Sequence, residues 1–515
     1  MDELKQSCHE LSLPVTEKCN PISRDIDRVN GKQMVQILRK CDAEIFEKKN
    51  HDPFHQRLYS SPVIQTMVDV AKRVEMMLRD PEESLIVLSG CGTSGRIAFL
   101  LVTSFNEMVK AQKQKQICSY IIAPFVAGQL DFCLKHLDVF TPVLLGFNPV
   151  HMARSEPMQD CSFHFKDVAE RMIAEQRHKK AFVLNPVLGA EAISGSSRMK
   201  GGSATKIILE SILLAGHEAA FRGKRVTPEC ISAWITASEM VYETTYSHSD
   251  ELAALIHQAG ESLQMKAHVY YIGWQTLGII GLTDASECVP TFGADFDDIR
   301  GFINNGFREM KNKEGDLSFL GPEFVIGHKD FVDTILPSLS QNDMMLFLFT
   351  VNDDLHEVTA LADQVRRRTS NLHAIAHDLE KFTIPETVCN MFGTVLHITW
   401  SFSSEEVNSR QRWELSTKWC LNAISTGAHV LKGKVYMNYM IDLRVTNSKL
   451  YRRAINILQR FTGCSKGECE RALLRAIYST DDLSEDMTSA DVWKHTDAAN
   501  RRDQVRTRLF IFTIC

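Results

Sequence analysis

Residues 84–102 read Ser-Leu-Ile-Val-Leu-Ser-Gly-Cys-Gly-Thr-Ser-Gly-Arg-Ile-Ala-Phe-Leu-Leu-Val, an apolar run that opens into glycines and hydroxyls and then into a second apolar run. The first run predicts a buried strand and the second a helix, so free N–H groups and the positive end of the helix dipole converge on the loop between them. That is a seat for phosphate, to which Thr93 and Ser94 add hydroxyl donors. Gly90-x-Gly92-x-x-Gly95 also spells the dinucleotide fingerprint, but the next candidate strand, 117–122, runs into Ala123-Pro124 with no acid to hold a ribose. The Walker pattern fails as well, because Arg96 and Ile97 stand where Lys and Ser or Thr are needed. What remains is a loop suited to one phosphate monoester, or a glycine turn that only packs helix on strand.

Two further groups have the right chemistry for the same ligand. Asp284-Ala-Ser-Glu287 offers a carboxylate for sugar hydroxyls, and Lys449 and Arg453, four apart, share one helix face where they either clamp a phosphate or stay solvated.

These residues need elements to hold them. Residues 17–80 read as helices that cover an edge, and the strand, loop and helix at 84–112 begin an α/β domain. A second such domain opens with Ala267-His-Val-Tyr-Tyr-Ile-Gly273, the loop Trp274-Gln-Thr-Leu-Gly278 and the helix-forming Ile279-Ile-Gly-Leu282, with a further strand at 344–350. Alternating strands and helices in both halves predict two doubly wound parallel-sheet domains. The second loop has fewer glycines and one hydroxyl, so its phosphate seat reads as degenerate. The second half has Glu287 where the first has Phe105, which makes one composite pocket between the halves the economical arrangement. Residues 438–480 differ: Leu450, Ala454, Ile457, Leu458 and Phe461 recur at helical spacing up to Gly463, a helical cap.

The bulk numbers exclude several classes. A chain of 515 residues with 44% hydrophobic and 24% charged residues is globular and large enough for about three domains. A formal net charge of −6 is not the footprint of a nucleic-acid binder. The opening residues lack the apolar core of a signal peptide and no long uncharged apolar run follows, so a soluble intracellular chain is expected. The 14 cysteines form no Cys-x-x-Cys pair, and no Cys or His cluster completes a metal site beside Cys464 and Cys469, so reduced thiols and no metal or other cofactor are expected.

Gly92-Thr-Ser-Gly-Arg96, Leu184-Asn-Pro, the stretch from Ser194 to Lys206, Asp284-Ala-Ser-Glu-Cys and Val445-Thr-Asn-Ser-Lys449-Leu occur in this order. Together they resemble the sugar isomerase (SIS) domain proteins, in the branch of the bacterial N-acetylmuramic acid 6-phosphate etherases and the vertebrate glucokinase regulators. Leu415-Ser-Thr-Lys-Trp419, Ser425-Thr-Gly-Ala-His-Val430 and Phe292-Gly-Ala-Asp-Phe296 are more similar to the regulators. The resemblance implies an α/β fold of two doubly wound SIS domains in tandem at 74–225 and 259–434, after an N-terminal helical region at 1–73 and before a shortened helical cap at 435–515.

It further implies a non-catalytic protein of nucleus and cytoplasm that binds and inhibits glucokinase. Fructose 6-phosphate would strengthen the inhibition and fructose 1-phosphate relieve it. Sugar-phosphate contacts then fall on Thr93, Ser94, Glu287, Asn447, Lys449 and Arg453, and kinase contacts on Asp138 and Val139. The alternative is an etherase-like lyase, which needs one positioned carboxylate as base and another as acid. Glu287 could be one; the segment that bears the family's other glutamate has no counterpart here.

This sequence departs from the family pattern after residue 122. A Gly-Gly-Asp turn, a helix, a strand and a second phosphate loop should follow; instead the chain passes directly to Ala123-Pro-Phe-Val-Ala-Gly-Gln129 and a helix expected over 124–137. Losing three or four buried side chains at about 1.5–3 kcal/mol each removes about 5–10 kcal/mol, comparable to a domain's net stability. Either strand 118–122 slides into the vacated place and the sheet closes with one strand fewer, or the chain folds poorly. Residues 400–413 are more polar than the family's passage there, and from His495 to Cys515 the expected cap helices are missing, with Leu509-Phe-Ile-Phe-Thr-Ile-Cys515 an apolar end. The pattern is that of an isoform with an internal deletion and an altered C-terminus.

Overall fold

The computed structural model describes residues 13–48, 55–123, 125–155, 162–401 and 409–501. The second half supplies the reference architecture. Its strands β5 (Val269–Gly273), β6 (Ile299–Ile303), β7 (Met344–Thr350), β8 (Leu372–Leu379) and β9 (Val395–Trp400) form a parallel sheet of order β6-β5-β7-β8-β9. Every residue of β5 and β7 is buried, as their uninterrupted apolar sequences require of strands covered on both faces.

The first half begins with the same units. Strand β1 (Ile86–Gly90) pairs in parallel with β2 (Cys118–Ile122), with Ile86 opposite Cys118 and Gly90 opposite Ile122. Strand β3 (Val143–Leu145) pairs in parallel with β4 (Phe182–Leu184). These are two separate two-stranded sheets. Set beside the second half, β2-β1 matches β6-β5 and β3-β4 matches β8-β9, and the counterpart of β7 is what the described residues lack. The first expected alternative for the shortened sheet is not realised: β2 stays beside β1, and the sheet does not close with one strand fewer. The reason is register, since β2 is held to β1 along its full length. The cost shows in burial. Where β5 is covered throughout, Val87 of β1 is 42% exposed, and Ile121, Ile122 and Phe125 are exposed beside it.

In both halves a glycine pair lets the first strand and its helix meet. A Cβ on Gly90 would lie 2.6 Å from the Ser94 carbonyl carbon, and one on Gly273 would lie 2.4 Å from the Gly278 Cα. The helices that follow are α3 (Thr93–Ala111) and α9 (Gln275–Phe292), and the latter runs continuously through Pro290.

Long helices join the halves. Helix α1 (Gly31–Ala43) packs on α8 (Ser249–Gln264), α2 (Ser61–Arg79) on α6 (Lys200–Phe221), and α11 (Ser409–Leu431) on α8 and α9. Helix α7 (Pro228–Ser247) bridges α6 and α11. The expected limits at 74 and 259 therefore fall inside continuous helices. The helix after β2, α4 (Val126–Lys135), is shorter than the expected 124–137, and Pro124 lies outside the described residues. Helix α5 (Phe165–Gln176) packs on α4 and β4.

The cap contains α12 (Ser448–Thr462), α13 (Lys466–Tyr478) and α14 (Val492–Arg501). Leu450, Ala454, Ile457 and Leu458 are buried, and Gly463 ends α12 at φ 71°. The expected loss of cap helices from His495 onward is corrected for residues 495–501, which lie in α14, while 502–515 fall outside the described residues. His495 is buried in α14, its ring stacked 5.6 Å from Tyr451 and its Nδ1 2.9 Å from the Tyr478 hydroxyl. The passage at 402–408 and the apolar end at 509–515 lie outside the described residues.

Candidate functional site

The glycine-rich loop brings Gly92, at φ 55°, to the N-terminus of α3, where no side chain caps the first turn. Thr93 is half-buried and Ser94 exposed at that terminus, so its N–H groups and hydroxyls face the same space. The corresponding terminus of α9 is occupied from within. Asn304 Oδ1 accepts from the Gln275 backbone N–H at 2.9 Å, and Gln275 Nε2 donates to Asp353 at 2.8 Å. The second loop is filled by the protein's own polar groups, which is the physical form of its expected degeneracy.

Helices α3 and α9 meet, and the contact carries Glu287 across to the first half. Arg96 Nη1 lies 3.9 Å from Glu287 Oε1, an oxygen that is buried and accepts no hydrogen bond among the described residues. Burial pushes the Glu287 carboxyl up from its ordinary range, against the opposing pull of Arg96, Arg198 and the Thr93 hydroxyl. Thr93 and Glu287, far apart in sequence, thus meet in one wall where α3 packs against α9.

A buried polar network underlies that wall. Arg198 Nη1 donates to Asp284 Oδ1 at 2.9 Å, and Arg198 also donates to the hydroxyls of Ser425 and Thr426. Lys418 Nζ donates to the Arg198 carbonyl at 2.9 Å, to Ser203 and to Asn422, and burial brings its ammonium down to about 8. Arg198 and Lys418 were not singled out from the sequence as site residues, although both lie inside the resembling motifs.

The cap residues form a second group. Asn447 Oδ1 accepts from the Leu450 N–H at 3.0 Å as the N-cap of α12, so its carbonyl oxygen is committed to the helix. Lys449 and Arg453 do share a face, and both address Glu17, whose carboxylate binds Arg453 through two bonds of 2.7 and 3.0 Å and stands 4.0 Å from Lys449 Nζ. Sequence offered no signal for Glu17. Among the described residues no hydrogen bond or ion pair joins Thr93 or Glu287 directly to Lys449 or Arg453. The segment from 190 to 202 connects them, since Arg453 Nη2 also donates to the Gly195 carbonyl at 2.8 Å while Lys418 holds the Arg198 carbonyl.

Asp138 and Val139 lie elsewhere, in the turn between α4 and β3. Val139 is 72% exposed, next to exposed Phe132 and Phe140, whose rings are 5.9 Å apart. Among the described residues, no cluster of His, Cys, Asp and Glu has the arrangement of a metal site, and no helix is long and apolar enough to cross a membrane.

With this geometry in place, three family descriptions match the chain. They are the glucokinase regulatory protein N-terminal SIS domain at residues 69–124, the second SIS domain at 246–432, and the C-terminal lid domain at 437–509. The first match ends two residues beyond residue 122, after which the family pattern breaks off. The chain is 43% identical over 548 residues to the glucokinase regulatory protein of Xenopus laevis, covering 96% of this chain and 88% of that one. It is 43% identical over 549 residues to the Homo sapiens protein of the same name, covering 97% and 88%. Both comparisons run longer than this chain's 515 residues, so the relatives contain residues with no counterpart here. An N-acetylmuramic acid 6-phosphate etherase of Clostridium botulinum (strain Eklund 17B / Type B) is 32% identical over 230 residues, covering 44% of this chain and 70% of the enzyme.

Proposed function

Because the chain belongs to the glucokinase regulatory protein family, we propose that it is a non-catalytic regulator that binds and inhibits glucokinase under the control of a sugar phosphate. The observation that supports this most is the inter-half wall of Thr93 and Glu287. A helix terminus with free N–H groups and hydroxyls suits a phosphate, and a buried carboxylate with an unsatisfied oxygen suits a sugar hydroxyl. Fructose 1-phosphate, relieving inhibition, and fructose 6-phosphate, enhancing it, are the ligands we assign, with nucleus and cytoplasm as its compartments. Ser94, Lys449, Arg453 and the remaining amide of Asn447 complete the assigned contacts.

Kinase docking is assigned to Asp138 and Val139, extended to Phe132 and Phe140 by their exposure. The shortened first half should weaken both activities, because it offers one phosphate loop and a split sheet. The etherase reading has Glu287 for one carboxylate role and nothing placed for the second.

The deciding experiment titrates the purified full chain into a glucokinase assay with and without each fructose phosphate. Inhibition that fructose 1-phosphate relieves and fructose 6-phosphate deepens is the expected result, at concentrations well above nanomolar. Lactate release from N-acetylmuramic acid 6-phosphate above a Glu287→Gln control would replace the proposal with the lyase.

A further inference from the structure

The first half leaves a place for one more strand. In the second half β7 lies between β5 and β8 and pairs with both, whereas among the described residues β1 pairs only with β2 and β3 only with β4. The Ile86 N–H donates to the Ile117 carbonyl at 2.9 Å and the Ala123 N–H to the Gly90 carbonyl at 3.1 Å, so Ile86, Leu88 and Gly90 turn their backbone groups to β2. Val87 and Ser89 turn theirs the other way. Likewise the Phe182 N–H donates to the Pro142 carbonyl at 3.0 Å and the Gly146 N–H to the Leu184 carbonyl at 2.9 Å, which leaves Val143 and Leu145 turned away from β4. Among the described residues no hydrogen bond reaches the backbone of these four. Open edges of this kind are templates for another strand. Burial marks the same gap: β8 is buried at every residue but its last, and no residue of its counterpart β3 is fully buried.

The chain contains a segment suited to that place. Leu509-Phe-Ile-Phe-Thr513, outside the described residues, repeats Leu346-Phe-Leu-Phe-Thr350 of β7 with Ile511 for Leu348 as the one difference. No charge, proline or glycine interrupts residues 509–515, as a central strand covered on both faces requires. The point of departure fits as well. Arg453 of the cap binds Glu17, and the neighbouring Thr16 N–H donates to Asn148 Oδ1 at 3.1 Å, three residues beyond β3, so the cap stands at the carboxyl end of that strand. Helix α14 ends at Arg501, and Asn500 Nδ2 holds it to the Thr446 carbonyl at 3.4 Å, just ahead of α12. From there residues 502–508 span at most about 25 Å when extended.

We infer that residues 509–515 supply the missing central strand of the first sheet, entering from the carboxyl ends of β1 and β3 and pairing antiparallel with both. Antiparallel entry needs no crossover helix. The added strand takes up the backbone groups of Val87, Ser89, Val143 and Leu145 and covers the apolar surface that β1 and β3 leave open, a strand complementation within one chain. The chain's own tail is the occupant because a short tether gives it a high effective concentration over the same segment of a second copy. The inference does not depend on the sugar-phosphate reading.

Amide exchange on the full chain, read over 86–90, 143–145 and 509–514, is the test. In the unaltered chain all three stretches should exchange slowly. In Ile511→Pro, which removes a donor that a central strand needs, all three should exchange at least roughly tenfold faster while β5 and β7 are unchanged. Fast exchange over 509–514 in the unaltered chain overturns the inference, whether or not the variant folds. Slow exchange there with 86–90 and 143–145 exchanging fast places the tail elsewhere and overturns it too, as does equal exchange over 86–90 and 143–145 in both proteins with β5 still protected. Sedimentation of the unaltered chain separates the remaining occupant: a monomer with all three stretches protected supports the inference, and a dimer whose protection fades on dilution replaces it with exchange of tails between copies.

Discussion

Arg198 and Asp284 face each other across the junction of the two halves, 2.9 Å apart, with side chains 1% and 2% exposed. Arg198 precedes α6 of the first half and Asp284 lies on α9 of the second, one turn before Glu287, so this pair fixes the angle at which Glu287 approaches the glycine-rich loop. Ser425 and Asn422 of α11 also donate to Asp284, leaving the carboxylate enclosed by donors.

Asp284→Ala should therefore destabilise the protein by about 3–5 kcal/mol, because it leaves a buried guanidinium without its carboxylate. The double variant Arg198→Met, Asp284→Leu should cost less than Asp284→Ala alone. Denaturant unfolding of the three proteins checks the order, and a double variant as damaged as the single one contradicts it.

Gly95 permits the close approach of α3 to β1 and β2. A Cβ there would lie 2.7 Å from the Gly90 carbonyl oxygen and 2.8 Å from Ile122 Cγ2. Gly95→Ala should cost about 1–3 kcal/mol through overpacking and disturb the phosphate loop. Ser94→Ala, at an exposed position, should leave the melting temperature unchanged and weaken binding of fructose 1-phosphate in calorimetry.

In the proposed site Glu287 serves as a carboxylate that accepts from a sugar hydroxyl. Burial raises its pKa, so it takes up a proton at a higher pH than an ordinary glutamate. Affinity for fructose 1-phosphate should fall as pH drops through that raised value. Glu287→Gln should bind more weakly at neutral pH and lose most of this acid limb; an identical pH profile for both proteins would place the titrating group elsewhere.

His268 and Asp343, 2.9 Å apart at the start of the second sheet, make stability depend on pH from both sides. The hydrogen bond that the His268 ring donates to Asp343 raises His268 above its ordinary 6.5, so its contribution is complete below that pH and is lost as pH rises through the folded value. Burial alone would raise Asp343, but the bonds from His268 and Ser340 bring it down to about 2, so its contribution is present above 3.8 and lost as pH falls through about 2. His268→Gln should therefore cost more at about pH 5.5 than at about pH 8.5. With His268 40% exposed, the difference should stay below about 1 kcal/mol. Thermal unfolding at the two pH values measures it.

The sequence by itself determined the local units and the family. The apolar runs at 269–273 and 344–350 are strands because uninterrupted burial on both faces demands such residues, the run at 86–90 is a strand whose Val87 is left exposed, and the glycine spacing at 90–95 is legible because only glycine tolerates the approach it permits. The helical period of 450–461, ending at Gly463, marked the cap helix, and the break after residue 122 was visible as a missing strand. What only the tertiary structure decided is where distant side chains meet. That Thr93 and Glu287 share a wall, that Arg198 is neutralised by Asp284, and that Glu17 takes both cap cations are consequences of helix packing across hundreds of residues, which no local period encodes. The split of the first sheet belongs there too. Parallel strands pair through separate connections, so only the folded chain shows that β1 with β2 and β3 with β4 form separate sheets where β7 joins the strands of the second half.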